Sequence, residues 1–417
     1  MALLKAFKGI RPVPELVDKI AALPYDVMNS EEARKIVAGN IYSFLHVDRP
    51  EVDLDASINV YDKMVYEKAR DNLQIMIDNG WLKKDNKECF YIYKLIMDSH
   101  EQTGIVCCLS VDDYNNNVIK KHEHTRRDKE QDRINHVKYC NANTGPIFLM
   151  YKAQEQITAI INKFTSENTS IYNFTSEDNI KHLFWVIEDE EVINNITGLF
   201  KDINSIYIAD GHHRAAAAVE VARLKKEEKG NYYTGDEEFN FFLGVLFPHN
   251  ELMVMDYNRV VRNLNNLTES EFLNLIKEKF IVEEFKGEGQ FKPVKKHNFS
   301  LYLRDKWYKI IPMVDSFNEN DLIDSLDVSI LQNNIFSPIL EIEDPRTDKR
   351  IDFVGGIRGS VELERLVGKG MAAGFALYPT DVEDLMKIAD INKVMPPKST
   401  WFEPKLRSGL FIHDLEN

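Results

Sequence analysis

The stretch Ile208-Ala209-Asp210-Gly211-His212-His213-Arg214-Ala215 constrains the fold more than any other. An apolar run over 205–209 meets Asp-Gly, and a small-residue segment follows. There Ala215, Ala218, Val219 and Ala222 stand at i, i+3, i+4 and i+7, the spacing of a helix buried along one face. The pattern predicts a strand, a tight turn and a helix. Upstream, HLFWVI at 182–187 predicts a strand and 190–201 a helix. The strand-helix-strand-helix rhythm implies mixed α/β packing.

A turn of this kind carries chemistry. The first backbone N–H groups of a helix have no partner within it, and the positive end of the dipole favours anions. Gly211 permits close backbone approach, and His212, His213 and Arg214 are donors for phosphoryl oxygens. Asp210 can cap the helix or hold a cation that bridges phosphates. The plainer alternative is a capped helix with two surface histidines.

The rest of the chain reads as folded, without repeats or low-complexity tracts. The run 43–47 predicts a buried strand, 55–79 a helix, and 90–97 with 104–111 a hairpin around DSHEQT. Beyond the charged EEKGNYYTGDEE the pattern restarts, with strands at 241–247 and 252–255 and a hairpin around RDKW. A strand at 352–354, a helix at 360–368, a strand at 373–378 and a helix at 381–390 follow. These divisions predict one domain over 1–235 and a second α/β half over 236–417. A C-terminal tail that returns to the first half is equally compatible.

Composition narrows the classes. The 417 residues carry 52 basic and 67 acidic groups, a net charge of −15, which disfavours general binding to nucleic-acid phosphates. The uncharged apolar runs, such as 241–247, are far short of the ~20 residues of a membrane helix. Lys5, Lys8 and Arg11 interrupt the apolar start, so no signal peptide is expected. Four cysteines without a CxxC pair fit a reducing cytoplasm. No GxxxxGK[ST] motif is present, which excludes an ordinary P-loop kinase.

Three further constellations can carry chemistry. In Pro24-Tyr25-Asp26-Val27-Met28-Asn29-Ser30-Glu31-Glu32, Asn29 with Glu32, or Ser30 alone, would cap a helix through Val37, and Glu31 and Glu32 suit its dipole. The same carboxylates could instead orient an acceptor hydroxyl or a metal ion, Glu31 or Glu32 as base and Asp26 as ligand. The charged segment 121–140 opens on His122-Glu123-His124-Thr125-Arg126-Arg127. Its bland reading is a solvated helix or loop. Histidines at i and i+2 diverge on a helix, and no further zinc ligand stands close in sequence. Last, Pro396-Pro397-Lys398-Ser399-Thr400-Trp401-Phe402-Glu403-Pro404-Lys405 is a proline-stiffened segment rich in donors. Lys398, Ser399 and Lys405 suit phosphate contacts, or Trp401 and Phe402 simply anchor the C-terminus.

DGHHR followed by a small-residue helix resembles the phosphate-binding motif of the ParB/sulfiredoxin-like superfamily, which includes the free serine kinases. LPYDVMNSEEA, NIYSFLHVDRPE, HEHT…DR, NTGPIF, YIADGHHRAAA, FVGG and MPPKSTWFEPKLRSGL resemble the "domain of unknown function 1015" proteins from one end of the chain to the other. The resemblance implies a ParB/sulfiredoxin-like nucleotide-binding core with large insertions. It places His122, Glu123, Thr125 and Arg133 on the family's pattern, as a substrate- or phosphate-binding loop. It also sets an early glutamate, Glu32 in preference to Glu31, opposite the phosphate turn. Sulfiredoxin-like enzymes have a cysteine where this chain has His212, so thiol repair is not expected. Neither the Gly-Glu-Arg-Arg type motif nor the helix-turn-helix of partition proteins is present.

The resulting expectation is a small-molecule phosphotransferase, with free L-serine as acceptor by analogy. ATP, ADP or pyrophosphate would be donor, with Mg²⁺ between Asp210 and the phosphates. The alternatives are a non-catalytic nucleotide-binding regulator and a ParB-like nucleic-acid-associated protein. Oligomeric state is left open by the sequence.

Overall fold

The computed structural model describes residues 2–416. The chain forms two compact units, Met1–Leu252 with Pro404–Asn417, and Met253–Glu403. The division falls at Leu252 rather than near 235, because the run at 241–247 is a strand of the first sheet and not the start of the second.

The first unit is a mixed α/β structure. Its nine-stranded sheet comprises β1 (Leu4–Lys5), β2 (Phe90–Met97), β3 (His100–Ser110), β4 (Ile119–Lys120), β5 (Ile147–Tyr151), β6 (Tyr172–Thr175), β7 (Lys181–Ile187), β8 (Ile206–Asp210) and β9 (Phe241–Pro248). The spatial order is β4-β8-β5-β9-β3-β2-β7-β6, with β1 paired to β3. The β4–β8 and β5–β9 pairs are parallel and the rest antiparallel. Strand β5 is buried at every residue, as expected of a central strand covered on both faces.

Four helices matter for the site: α1 (Ser30–Val37), α2 (Lys63–Asp78), α3 (Arg127–Cys140) and α4 (His212–Lys229). Ala215, Ala217, Ala218, Val221 and Ala222 of α4 are buried against Ile208, Leu149 and Leu246 of the sheet. Small side chains let the helix lie close to the strands. Each large aliphatic residue fully buried there contributes about 1.5–3 kcal/mol. Among the described residues, no helix is long and apolar enough to cross a membrane.

Three local readings differ from the sequence expectation. The helix expected over 55–79 begins only at Lys63, capped by Asp62. The run 43–47 is not a strand: Leu45–Asp48 is one turn of helix, since an unbroken apolar run has no period to tell strand from helix. The charged segment 121–140 is not a solvated surface: α3 buries Asp132, Arg133, Ile134, His136 and Val137. Buried charges are tolerated there because Arg133 and Asp132 pair at 2.8 Å.

The C-terminal tail belongs to the first unit. Ile412 exchanges backbone hydrogen bonds with Ile10 and Ser408 with Ala22, while Arg407 pairs with Asp178. The second unit is built on a six-stranded sheet in which every pair is antiparallel, in the order Phe280–Glu284, Lys306–Pro312, Phe299–Leu303, Ala373–Ala376, Tyr257–Val261, Ile351–Gly355. Its hairpin turns at Arg304 and Asp305, both at positive φ, the twist that a tight two-residue turn requires.

Candidate phosphate site

The strand leading into the turn is irregular. Ile208 stands opposite Leu149 and Asp210 opposite Phe148, so Ala209 is a bulge. Bulges re-aim the following side chain and are frequent beside functional sites. Gly211 then sits at φ +94°, a left-handed conformation, as the N-cap of α4, and no side chain caps the helix. Anion-binding N–H groups are thereby left at the start of α4.

Two cations fold onto this helix start. Lys405 of the C-terminal tail, itself buried, reaches Asp210 Oδ2 at 3.0 Å. The Gly211 N–H donates to Asp210 Oδ1 at 2.8 Å. Burial would raise the Asp210 carboxyl, but Lys405 and Arg214 outweigh it and hold the group well below the usual range. The Arg214 guanidinium lies against Gly211: a Cβ there would come within 3.1 Å of its Nε and Nη2. Its Nη1 donates to the Pro146 carbonyl, and its Nε is buried without a hydrogen-bond partner.

Beside Arg214 opens a narrow pocket lined in part by Tyr25, Asp48, Arg133, His136, Thr144 and Ser408. The Arg133 guanidinium stacks over the Tyr25 ring at 4.0 Å. Its partner Asp132 accepts the Tyr66 hydroxyl at 2.9 Å. Asp48, also buried, accepts from Thr144 Oγ1 at 3.1 Å. Gly145 keeps the wall thin, since a Cβ there would meet Ser408 Oγ at 3.2 Å and Arg214 Nη1 at 3.5 Å. The pocket therefore presents two guanidinium groups and one carboxylate.

The HEHT segment lies against the other side of the turn. The His122 and His212 rings meet edge-on at 4.5 Å, and the His122 N–H donates to His212 Nε2 at 3.4 Å. Burial pushes the His122 imidazole down to about 4 and His212 well below its ordinary value. Burial thus disfavours a charged ring at either position, and a neutral imidazole keeps one N–H to donate. His213 Nε2 accepts the Arg126 N–H at 3.0 Å. Thr125 donates to Glu130 at 2.6 Å, which holds the start of α3.

The early carboxylates have partners at the start of α1. Glu32 and Asn29 form a reciprocal capping box at 2.9 Å in each direction. Glu31 pairs with Lys35 at 2.7 Å, with 79% of its side chain exposed. Both serve the start of α1, and Asp26 is exposed. A buried carboxylate beside them is Glu51, which accepts the Ser30 hydroxyl at 2.9 Å and is ion-paired with Arg49, whose Nε lies 2.9 Å away.

Lys398 and Ser399 belong to the second unit. There the Ser399 hydroxyl donates to the Pro396 carbonyl at 2.6 Å, and Lys398 Nζ lies over the Tyr257 ring at 5.5 Å. Mg²⁺ at Asp210 fits poorly. Mg²⁺ takes oxygen lone pairs in near-ideal octahedral geometry, whereas one Asp210 oxygen holds an N–H and the other an ammonium.

Sequence reasoning missed Asp48, Thr144 and Gly145 as site residues, although they lie in HVDRPE and NTGPIF. Their roles depend on the chain bringing 48, 144 and 214 to one place, which no local pattern encodes.

The model of a family described as a protein of unknown function, DUF1015, matches residues 4–329. Among curated proteins none matches the sequence. Similar solved structures include a free serine kinase in complex with AMP, at 15% identity and TM-score 0.38, covering 75% of this chain and 91% of that one. A mutant free serine kinase in complex with ADP has 14% identity and TM-score 0.39, with coverages of 75% and 92%. A conserved hypothetical protein from Pyrococcus furiosus has 14% identity and TM-score 0.36, with coverages of 75% and 95%. Likeness at this level leaves function to be argued from the site.

Proposed function

The chain belongs to the DUF1015 family, and from that premise we propose that it is a small-molecule phosphotransferase whose phosphate site is the 210–214 turn. The observation that carries the reading is the convergence of Arg214 and buried Lys405 on the uncapped start of α4. A terminal phosphate there would accept the free N–H groups. It would also complete the hydrogen bonding of Arg214 Nε and share Lys405 with Asp210. Phosphoryl transfer needs positioning and charge neutralisation more than covalent help. Those are the resources this turn supplies.

The acceptor needs a carboxylate to orient its hydroxyl. With Glu31 and Glu32 engaged at α1, that role passes to Asp48, buried in the pocket that Arg133 and Arg214 also line. Free L-serine as acceptor, and ATP, ADP or pyrophosphate as donor, follow from the motif resemblance. The engagement of Glu31 and Glu32 favours a second reading, a nucleotide-binding regulator without catalysis. A nucleic-acid role has little support in a chain of net charge −15.

Thermal-shift titration with ATP, ADP, CTP and pyrophosphate, followed by phosphoserine detection, tests these readings. Arg214→Ala should weaken donor binding by roughly 1.5–3 kcal/mol, the range for a hydrogen bond to a charged group. Asp48→Asn should leave donor affinity unchanged and lower turnover roughly 10²–10⁴-fold. Binding without phosphorylation of serine or any other small alcohol would select the regulator. Absence of any ligand shift would overturn both.

A further inference from the structure

A cluster outside the phosphate contacts remains unexplained. His122 and Glu123 follow strand β4, and His212 opens α4. One ligand atom from each lies within 4.8 Å of the other two. We infer that His122, Glu123 and His212 form a binding site for a divalent transition-metal ion, of the Zn²⁺ class.

The donor set selects the ion. Two imidazoles and one carboxylate suit zinc and its neighbours, whereas Mg²⁺ and Ca²⁺ prefer all-oxygen cages. Three protein ligands leave a fourth tetrahedral position open, the arrangement of catalytic rather than structural zinc.

A second observation points to a ligand independently. His122 is 3% exposed, and its Nδ1 has no hydrogen-bond partner. A buried polar atom left unsatisfied is costly, and a metal ion would satisfy it. The contact from the His122 N–H to His212 Nε2 is long at 3.4 Å, so it is a weak one.

Zinc ligands with bonds of about 2.0–2.1 Å stand roughly 3.3 Å apart. The cluster must therefore tighten on binding, and Glu123 is only half-buried. The spacing of His122 and His124 argued against zinc in the sequence. The structure replaces His124, which is exposed, with His212, remote in sequence.

This site does not depend on the phosphotransferase reading, because metal binding is measured with no phosphate donor present. The full chain is stripped with a chelator and titrated with Co²⁺, whose visible d–d absorption reports coordination, and Zn²⁺ is then competed against it. One equivalent should bind, and a large excess of Mg²⁺ should not displace it. Glu123→Gln and His122→Ala should each weaken Zn²⁺ at least about tenfold, the scale of losing a ligand. His124→Ala should bind as wild type. Far-UV circular dichroism checks that each variant is folded, and Glu123→Gln carries the test if His122→Ala is not. No stoichiometric Co²⁺ or Zn²⁺ binding, or wild-type affinity in folded Glu123→Gln, overturns the inference. Loss of anion binding with metal binding intact would refute the phosphate reading alone.

Discussion

Replacing Gly211 by alanine tests the geometry of the turn. A methyl group there meets two penalties. The backbone sits at φ +94°, and a left-handed conformation costs a non-glycine residue roughly 1–2 kcal/mol. The new Cβ would also lie 3.1–3.2 Å from Nε, Nη2 and Cζ of Arg214, so the guanidinium must shift by a few tenths of an ångström. Strain should lower stability by about 1–2 kcal/mol, which for a unit of this size is a melting shift of about 2–8 °C. The displaced guanidinium should cost part of the roughly 1.5–3 kcal/mol that Arg214 supplies to an anion, or about a fivefold loss. Calorimetric melting and pyrophosphate titration read the two effects. Repeating both in an Arg214→Ala background separates them. The backbone strain should persist there, while the effect on binding should vanish, because the group that was pushed is gone. Unchanged melting in Gly211→Ala would refute the strain argument. An equal binding loss in both backgrounds would refute the placement of Arg214 over the turn.

Lys405→Met should cost about 1–2 kcal/mol, below the usual loss for a broken buried pair because Asp210 keeps Arg214 nearby. Adding Asp210→Asn should recover much of it, and additive losses in denaturant melts would contradict the pairing. Glu32→Ala should cost about 0.5–1 kcal/mol through the lost capping box, while Glu31→Ala should be near neutral. Neither should alter turnover, and a rate collapse in Glu32→Ala would restore it as a catalytic candidate. Burial would raise Glu238, but hydrogen bonds from His413 and Lys5 hold it at about 2. Its stabilisation is therefore present above the unfolded carboxyl value and lost as pH falls through about 2. Glu238→Gln should flatten the stability profile below pH ~4.5, and an unchanged acid limb would count against the pairing. Burial pushes Asp327 up to about 6, against the N–H of His297 that donates to it. Its ionisation opposes folding as pH rises through that value, so Asp327→Asn should raise the melting temperature near pH 7.5 and not near pH 4. A lower melting temperature at both would refute this.

The strand, Asp-Gly turn and alanine-rich helix were legible in the sequence because each is written in neighbouring residues. Strand 206–210 has its apolar run, Gly211 its left-handed turn, and α4 its 3.6-residue period. The 90–110 hairpin, the N-cap at Asn29 and the class of the fold were legible for the same reason. The DUF1015 motifs likewise marked Asp48 and Thr144 as notable without assigning them a place. What tertiary structure alone decided is which of these residues meet. Lys405 and Asp210 are 195 residues apart, and they pair because Ile412 and Ser408 dock the tail onto Ile10 and Ala22. His212 joins His122 and Glu123 only because β4 and β8 are parallel neighbours, and the Glu32 carboxylate accepts the Asn29 N–H at the start of its own helix. Local sequence sets each residue's backbone preference. The identity of a distant partner depends on strand order and chain return, which arise from the burial of the whole core and have no short-range signature.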